Sequence, residues 1–157
     1  MLISVNSAYL CMLFGHINNV DVLRQRKFRI KNNPILFLME QTKKLVESIV
    51  KGIQEKKGTN IVVADLRGID GTICDYFVIC QGSSPTQVDA IADSVEEVAR
   101  VEAGEKPVKI DGLANAEWVA MDYTDVLVHI FLPELRQYYS LEDLWSDATI
   151  TSVPDAD

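Results

Sequence analysis

Short β-branched runs set between helical patterns most limit what this chain can fold into. Val126–Leu132 (VLVHIFL) is the strongest strand pattern, and Asn60–Leu66 (NIVVADL) is a second pattern typical of a buried strand. Asp75–Gln81 (DYFVICQ) predicts a third strand. A chain that alternates such runs with helices buries its apolar faces by packing the helices on a sheet, so these runs predict an α/β fold.

Helical patterns precede, separate and follow the strands. Glu40–Gln54 places its apolar residues on one face of a 3.6-residue period and is followed by a stop signal at Gly58. A second helix is predicted from Pro85, capped by Ser84, to about Glu102. The other predicted elements are strands at Val108–Asp111 and Trp118–Tyr123, a short helix at Pro133–Tyr139, and another short helix opened by Ser140–Asp143, after which Leu144 and Trp145 return to the core. The predicted order is αββαβββαα, a mixed sheet flanked by helices.

Charge divides the chain into two unequal parts. The formal net charge is −8, yet residues 1–38 hold five basic residues and one acidic residue, so residues 39–157 hold 10 basic and 22 acidic residues, a net of −12. An acidic surface repels phosphate backbones, which argues against direct binding of DNA or RNA. It attracts a basic protein partner, although the alternative is that the charge serves only solubility.

The same composition change predicts the domain organisation. We expect an N-terminal extension at residues 1–38, a domain at residues 39–148 and a short polar tail at residues 149–157. Either Met39 is the physiological start, or residues 1–38 form a basic arm. The apolar run Ala8–Phe14 is short and no positive charge precedes it, unlike a signal peptide. No stretch approaches the roughly 18 apolar residues of a membrane-spanning helix.

The sequence gives little indication of an enzymatic site. Gly82–Ser84 lies between a strand and a helix N-terminus, where backbone N–H groups could hold a phosphate. Nucleotidyl transfer also requires paired carboxylates for metal ions, but Asp89 and Asp93 both lie on the following helix. The two histidines, His16 and His129, and three cysteines without a CxxC pair give no metal-ligand spacing. We therefore predict no catalytic residue, cofactor or metal, and keep a nucleotide-binding enzyme as the weakest alternative.

One region concentrates side chains typical of protein-binding surfaces. It holds Trp118, Asp122, Tyr123, Asp125, His129, Arg136, Tyr138 and Tyr139. The two-residue period of a strand puts Trp118 and Asp122 on one face and Tyr123 on the other. His129 faces away from its strand neighbours for the same reason. Aromatic, Arg and Asp groups on one sheet face favour a protein-binding patch, and the alternative is that the rings pack internally.

These residues also carry a family resemblance. The sequence has Asp75-Tyr76-Phe77-Val78-Ile79, Gly82, Ser84, Trp118, Asp122-Tyr123, Asp125, Val128-His129-Ile130-Phe131, Arg136, Tyr139, Leu141-Glu142 and Leu144-Trp145. In their order and spacing these motifs resemble those of the ribosomal silencing factors, also called Iojap-like proteins. The resemblance runs from about Met39 to Ala148.

The resemblance implies a fold similar to nucleotidyltransferases but without their catalytic residues. It also implies a cytoplasmic, homodimer-forming protein that docks on a large-subunit ribosomal protein at the intersubunit face. Bound there, such a protein blocks joining of the small subunit and represses translation under nutrient limitation; assembly of the large subunit is the alternative role. The resemblance assigns partner binding to Trp118, Asp122, Tyr123, His129, Arg136 and Tyr139, and more weakly to Asp75 and Tyr76.

Overall fold

The computed structural model of the protein describes residues 34–156, which form a six-stranded sheet with helices on both faces. The helices are α1 (Pro34–Glu55), α2 (Pro85–Val98), α3 (Pro133–Tyr139) and α4 (Leu141–Leu144), and a π-helical turn (Ala99–Ala103) continues α2. The strands are β1 (Thr59–Asp65), β2 (Tyr76–Gln81), β3 (Lys109–Asp111), β4 (Trp118–Asp122), β5 (Val126–Phe131) and β6 (Thr149–Val153). The prediction of a mixed sheet flanked by helices is confirmed.

The strand order across the sheet is β3-β4-β5-β2-β1-β6. β2 and β5 run parallel, and every other neighbouring pair is antiparallel. All six residues of β5 are buried, because β5 lies near the centre of the sheet with cover on both faces. This position explains why its sequence reads as an almost unbroken apolar run.

α1 begins earlier than predicted. The apolar period predicted a start at Glu40, whereas the helix begins at Pro34, a residue suited to the first turn. The predicted extension at residues 1–38 therefore ends inside a helix, and residues 34–38 belong to α1. Cys11, His16 and the basic residues of the extension lie outside the described residues.

The polar tail predicted for residues 149–157 contains a strand. β6 pairs antiparallel with β1, from Ile61 opposite Val153 to Asp65 opposite Thr149. Most of its side chains are exposed because β6 is an edge strand, so no apolar run marked it in the sequence. Its β-branched residues fit the extended backbone.

The two faces of the sheet are covered differently. α1 and α2 cover the face that we call the helix face, and α3 and α4 partly cover the face that we call the aromatic face. Buried residues on the helix face include Ile49, Ile53, Ile91, Val128 and Ile130. Those on the aromatic face include Phe77, Phe131, Leu141 and Trp145.

Candidate functional site

A cluster of stacked rings occupies the aromatic face. It consists of Phe77, Trp118, His129, Phe131, Tyr139 and Trp145. The Trp118 ring lies 4.9 Å from the Phe131 ring and 4.7 Å from the Tyr139 ring, centroid to centroid. Trp118 and Tyr139 are half-buried while the other rings are buried, so two aromatic side chains reach solvent from a packed base.

Strand register and one helix start bring these rings together. Trp118 lies directly opposite Phe131 in the β4–β5 pair. Pro133 then begins α3 shortly after β5 ends, which turns the chain back over the sheet and sets Tyr139 against Trp118. Ser140, in the left-handed region with φ of 43°, ends the helix there.

His129 supports Trp118 from below. The side chain is completely buried, and Trp118 Nε1 donates a hydrogen bond of 3.2 Å to His129 Nδ1. Burial lowers the pKa of His129 to about 3, so the imidazole is neutral at physiological pH and carries its proton on Nε2. A neutral, inaccessible imidazole positions the indole and does not reach a partner or a metal ion.

Arg136 holds the two short helices to the sheet. Its Nε and Nη2 donate to Glu142 Oε1 at 2.8 Å and 2.5 Å, and its Nη1 donates to the carbonyl of Asn60 at 2.6 Å. The side chain is only 12% exposed. Arg136 therefore ties α3 to α4 and β1 rather than offering a free charge, and it holds in place the helix that carries Tyr139.

Asp122 and Tyr123 lie at the opposite end of β4 from Trp118. Asp122 is four residues further along the strand than Trp118, about 13 Å of extended chain. Asp122 Oδ1 accepts a hydrogen bond of 2.7 Å from the backbone N–H of Thr124, which shapes the hairpin turn. Tyr123 is completely buried on the helix face, and burial raises the pKa of its hydroxyl. Tyr123 therefore has no exposed surface for direct contact with a partner, and its predicted part in binding would be to support the strand from the buried side.

Asp75 and Tyr76 also lie away from the ring cluster. Asp75 is exposed, and partial burial of its carboxyl raises the pKa of that group. Tyr76 packs on the helix face beneath the Arg67 guanidinium, 5.0 Å from the ring centroid. Of the predicted residues, the structure brings Trp118, His129, Arg136 and Tyr139 together and leaves Asp75, Tyr76, Asp122 and Tyr123 apart.

Several residues of the site were not among the predicted ones. Phe77, Phe131 and Trp145 form the buried base, and Phe77 and Phe131 share the strand parity of His129, which could have revealed them. Tyr138, which the sequence placed in the same region but which received no binding role, is 79% exposed and contacts Tyr139 edge to face at 5.1 Å. Tyr138 thus extends the accessible aromatic surface beyond Trp118 and Tyr139.

The loop that suggested a phosphate site is already satisfied by the chain itself. Ser84 Oγ caps α2 by accepting from the backbone N–H of Gln87 at 3.2 Å. Gln87 Oε1 in turn accepts from the N–H and hydroxyl of Ser83, both at 2.8 Å, and Gly82 N–H donates to the Phe131 carbonyl. Residues 34–156 contain no group of three or more His, Cys, Asp or Glu side chains suited to a metal ion.

No helix within residues 34–156 is long and apolar enough to cross a membrane.

The sequence and the fold both match known proteins. Residues 39–157 match the family described as ribosomal silencing factor during starvation. A ribosomal silencing factor of Halalkalibacterium halodurans is 40% identical over 104 residues, covering 66% of this chain and 87% of that protein. The mouse protein named mitochondrial assembly of ribosomal large subunit protein 1 is 34% identical over 74 residues, covering 46% of this chain and 32% of that protein.

A crystal structure of a protein from Bacillus halodurans superposes with a TM-score of 0.59 at 35% identity. The match covers 71% of this chain and 98% of that chain. At this identity the likeness extends beyond the fold, and it agrees with the match of almost the whole described domain to one family. The chain therefore belongs to the ribosomal silencing factor family.

Proposed function

We propose that this protein represses translation by binding, and that it binds a large-subunit ribosomal protein at the intersubunit face. In that position it keeps the small subunit from joining when nutrients are scarce. The observation that carries the proposal is the half-exposed pair of Trp118 and Tyr139 on a buried base of rings. The names of the family and of its bacterial relative support a ribosomal role.

The geometry of the pair suits a binding anchor. Binding hot spots are enriched in Trp and Tyr, and rings already held in place lose little freedom when a partner covers them. Trp118 is fixed by the hydrogen bond to His129 and by ring contacts with Phe131 and Tyr139. Arg136 fixes the helix that carries Tyr139. Tyr138 widens the surface without ordering a new segment.

Charge supplies the approach to the partner. Residues 39–157 carry a net charge of −12, so long-range attraction favours a basic partner and speeds the encounter. The proposal therefore requires a basic surface on the large-subunit protein that it binds. The proposed role requires no catalytic residue or cofactor and places the protein in the cytoplasm, with a homodimer as its free form.

The direct test is cosedimentation of the full-length protein with separated ribosomal subunits, followed by addition of the opposite subunit. Binding to large subunits alone, with fewer joined ribosomes formed, is the expected result. Trp118→Ala should weaken this binding by about 30-fold, equivalent to about 2 kcal/mol. Val101→Ala, which trims an exposed side chain on the π-helical turn, should bind like the unchanged protein. Equal binding by a folded Trp118→Ala variant would contradict the proposal.

A role in assembling the large subunit is a second candidate, favoured by the name of the mouse relative. It uses the same surface and differs in its consequence. Sucrose-gradient profiles of a deletion strain separate the two roles. Accumulation of immature large subunits during rapid growth supports assembly, whereas normal subunits with excess joined ribosomes during starvation support silencing.

A further inference from the structure

An apolar groove of about 720 Å³ runs along α1 on the helix face, between the helix and the neighbouring strands β1 and β6. Its apolar lining is Leu36, Met39, Val46, Val50, Val63 and Val153. Leu36 and Met39, in the first turns of α1, are 65% and 49% exposed. The groove thus leaves a continuous apolar surface open to water beside the point where the described chain begins.

The groove lies on the opposite side of the sheet from Trp118, so an occupant would not cover the proposed partner-binding surface. We propose that the groove binds the apolar run Ala8–Phe14 of the same chain. This inference is independent of the proposed ribosomal role.

Chain length permits this contact. The 33 residues before Pro34 enter the described structure at the end of the groove that Leu36 and Met39 line. Nineteen residues connect Phe14 to Pro34, and they span up to about 60 Å when extended. The whole of α1, at 22 residues, is only about 33 Å long, so the run reaches any part of the groove. A tether of this length keeps the run at a local concentration of about a millimolar.

Chemical complementarity favours this occupant. Ala8–Phe14 (AYLCMLF) is uncharged and apolar, which matches the lining of the groove. The connecting residues carry five basic side chains and one acid, against a net charge of −12 in residues 39–157. Glu40, Glu47 and Lys43 line the rim, while Lys51 and Arg67 are paired with Glu102 and Asp65. The basic connection is therefore attracted to a domain of opposite net charge.

Cys11 provides a native reporter at the centre of the run. Cys74 and Cys80 are buried, and burial raises the pKa of both thiols, to about 12 for Cys80, so both stay unreactive in the folded protein. Val50→Cys puts a second thiol on the groove floor. Glu134→Cys puts a matched thiol on exposed α3, on the other side of the sheet.

Diamide oxidation of each full-length variant tests the proposal, because it converts two neighbouring thiols into a disulfide. We expect the intramolecular disulfide of Cys11 to form about tenfold faster in the Val50→Cys variant than in the Glu134→Cys variant. Non-reducing electrophoresis and peptide mass spectrometry follow the product and identify the two joined positions. Cys11→Ser should abolish the product, and Leu10→Asp with Leu13→Asp should bring its rate down to that of the α3 control.

Two outcomes would overturn the proposal. Equal rates at the groove and at α3 would mean that the run visits both surfaces by chance. A product between two chains, with a rate that rises with protein concentration, would make a second copy the occupant. Gln54→Cys, at the other end of the groove, repeats the measurement if Val50→Cys does not fold.

Discussion

The two faces of the sheet are built from different kinds of side chain and have different roles. On the helix face, the core residues from α1, α2 and β5 are aliphatic and buried, and the groove along α1 lies outside this core. On the aromatic face, rings stack on one another, two are left half-open, and their positions depend on directed hydrogen bonds to His129 and from Arg136. The helix face therefore stabilises the fold, whereas the aromatic face leaves some rings partly exposed and presents an ordered, accessible surface.

The largest expected effect is a loss of stability, without a loss of binding, from a core substitution on the helix face. Ile49 is completely buried in the contact of α1 with the sheet. Ile49→Ala removes buried methylene and methyl groups and leaves a cavity, so we expect the free energy of unfolding to fall by about 3 kcal/mol. Urea unfolding measures this change. The folded fraction should still bind large subunits with unchanged affinity. A binding loss as large as that of Trp118→Ala would show that the helix face also contributes to binding.

Elements with strong local patterns were predictable from the sequence. β5 lies almost where the apolar run predicted it, because a strand buried on both sides needs consecutive apolar residues. α3 begins at Pro133 as predicted, because the fixed φ of proline suits the first turn of a helix. β6 left no such mark, since an edge strand exposes its side chains. Its existence depends on pairing with β1, about 90 residues earlier, which no local pattern records.

The candidate site was predictable only in part, for the same reason. Strand parity correctly separated Tyr123 from Trp118, but parity does not tell which face helices cover, and α1 and α2 bury Tyr123. Arg136 is of a residue type that is typical of binding surfaces. Its partners are Glu142 on the next helix and the carbonyl of Asn60, 76 residues away, so only the tertiary structure reveals that its charge is already used.

A pH series probes the buried side of the aromatic face. His129 has a pKa of about 3 in the folded protein, because burial disfavours the charged form, against an ordinary value of 6.5. Below pH 6.5 the imidazole of His129 is therefore protonated in the unfolded chain but stays neutral in the folded protein. This stabilisation is complete above pH 6.5 and is lost as the pH falls toward 3, by up to about 1.4 kcal/mol per pH unit.

Urea unfolding between pH 7 and pH 5 measures the effect, which we expect to total about 2 kcal/mol. His129→Gln should remove this part of the slope. A His129→Gln variant with the full slope would assign the pH dependence to the carboxylates instead.

Gly52 lies where the backbones of α1 and α2 are in close contact on the helix face. A Cβ at this position would lie 2.8 Å from Val95 Cα and 3.1 Å from the Ser94 carbonyl oxygen, so the two helices must separate to admit it. Gly52→Ala should lower the free energy of unfolding by about 1–2 kcal/mol, because the strain exceeds the gain in helix propensity. Glu47→Ala, on an exposed turn of the same helix, should change it by less than about 0.5 kcal/mol. Greater stability in Gly52→Ala would show that the helices can move apart freely.

The smallest expected effect isolates one hydrogen bond on the aromatic face. Trp118→Phe keeps a ring beside Phe131 and Tyr139 but removes the N–H that His129 Nδ1 accepts at 3.2 Å. We expect the free energy of unfolding to fall by about 1 kcal/mol, since a buried acceptor is left without its donor. A double-mutant cycle with His129→Gln measures the pair itself, and a coupling near zero would mean that the bond does not orient the indole. Binding to large subunits should fall by only about threefold, well short of the Trp118→Ala loss, if ring contact supplies the affinity and the hydrogen bond supplies its direction.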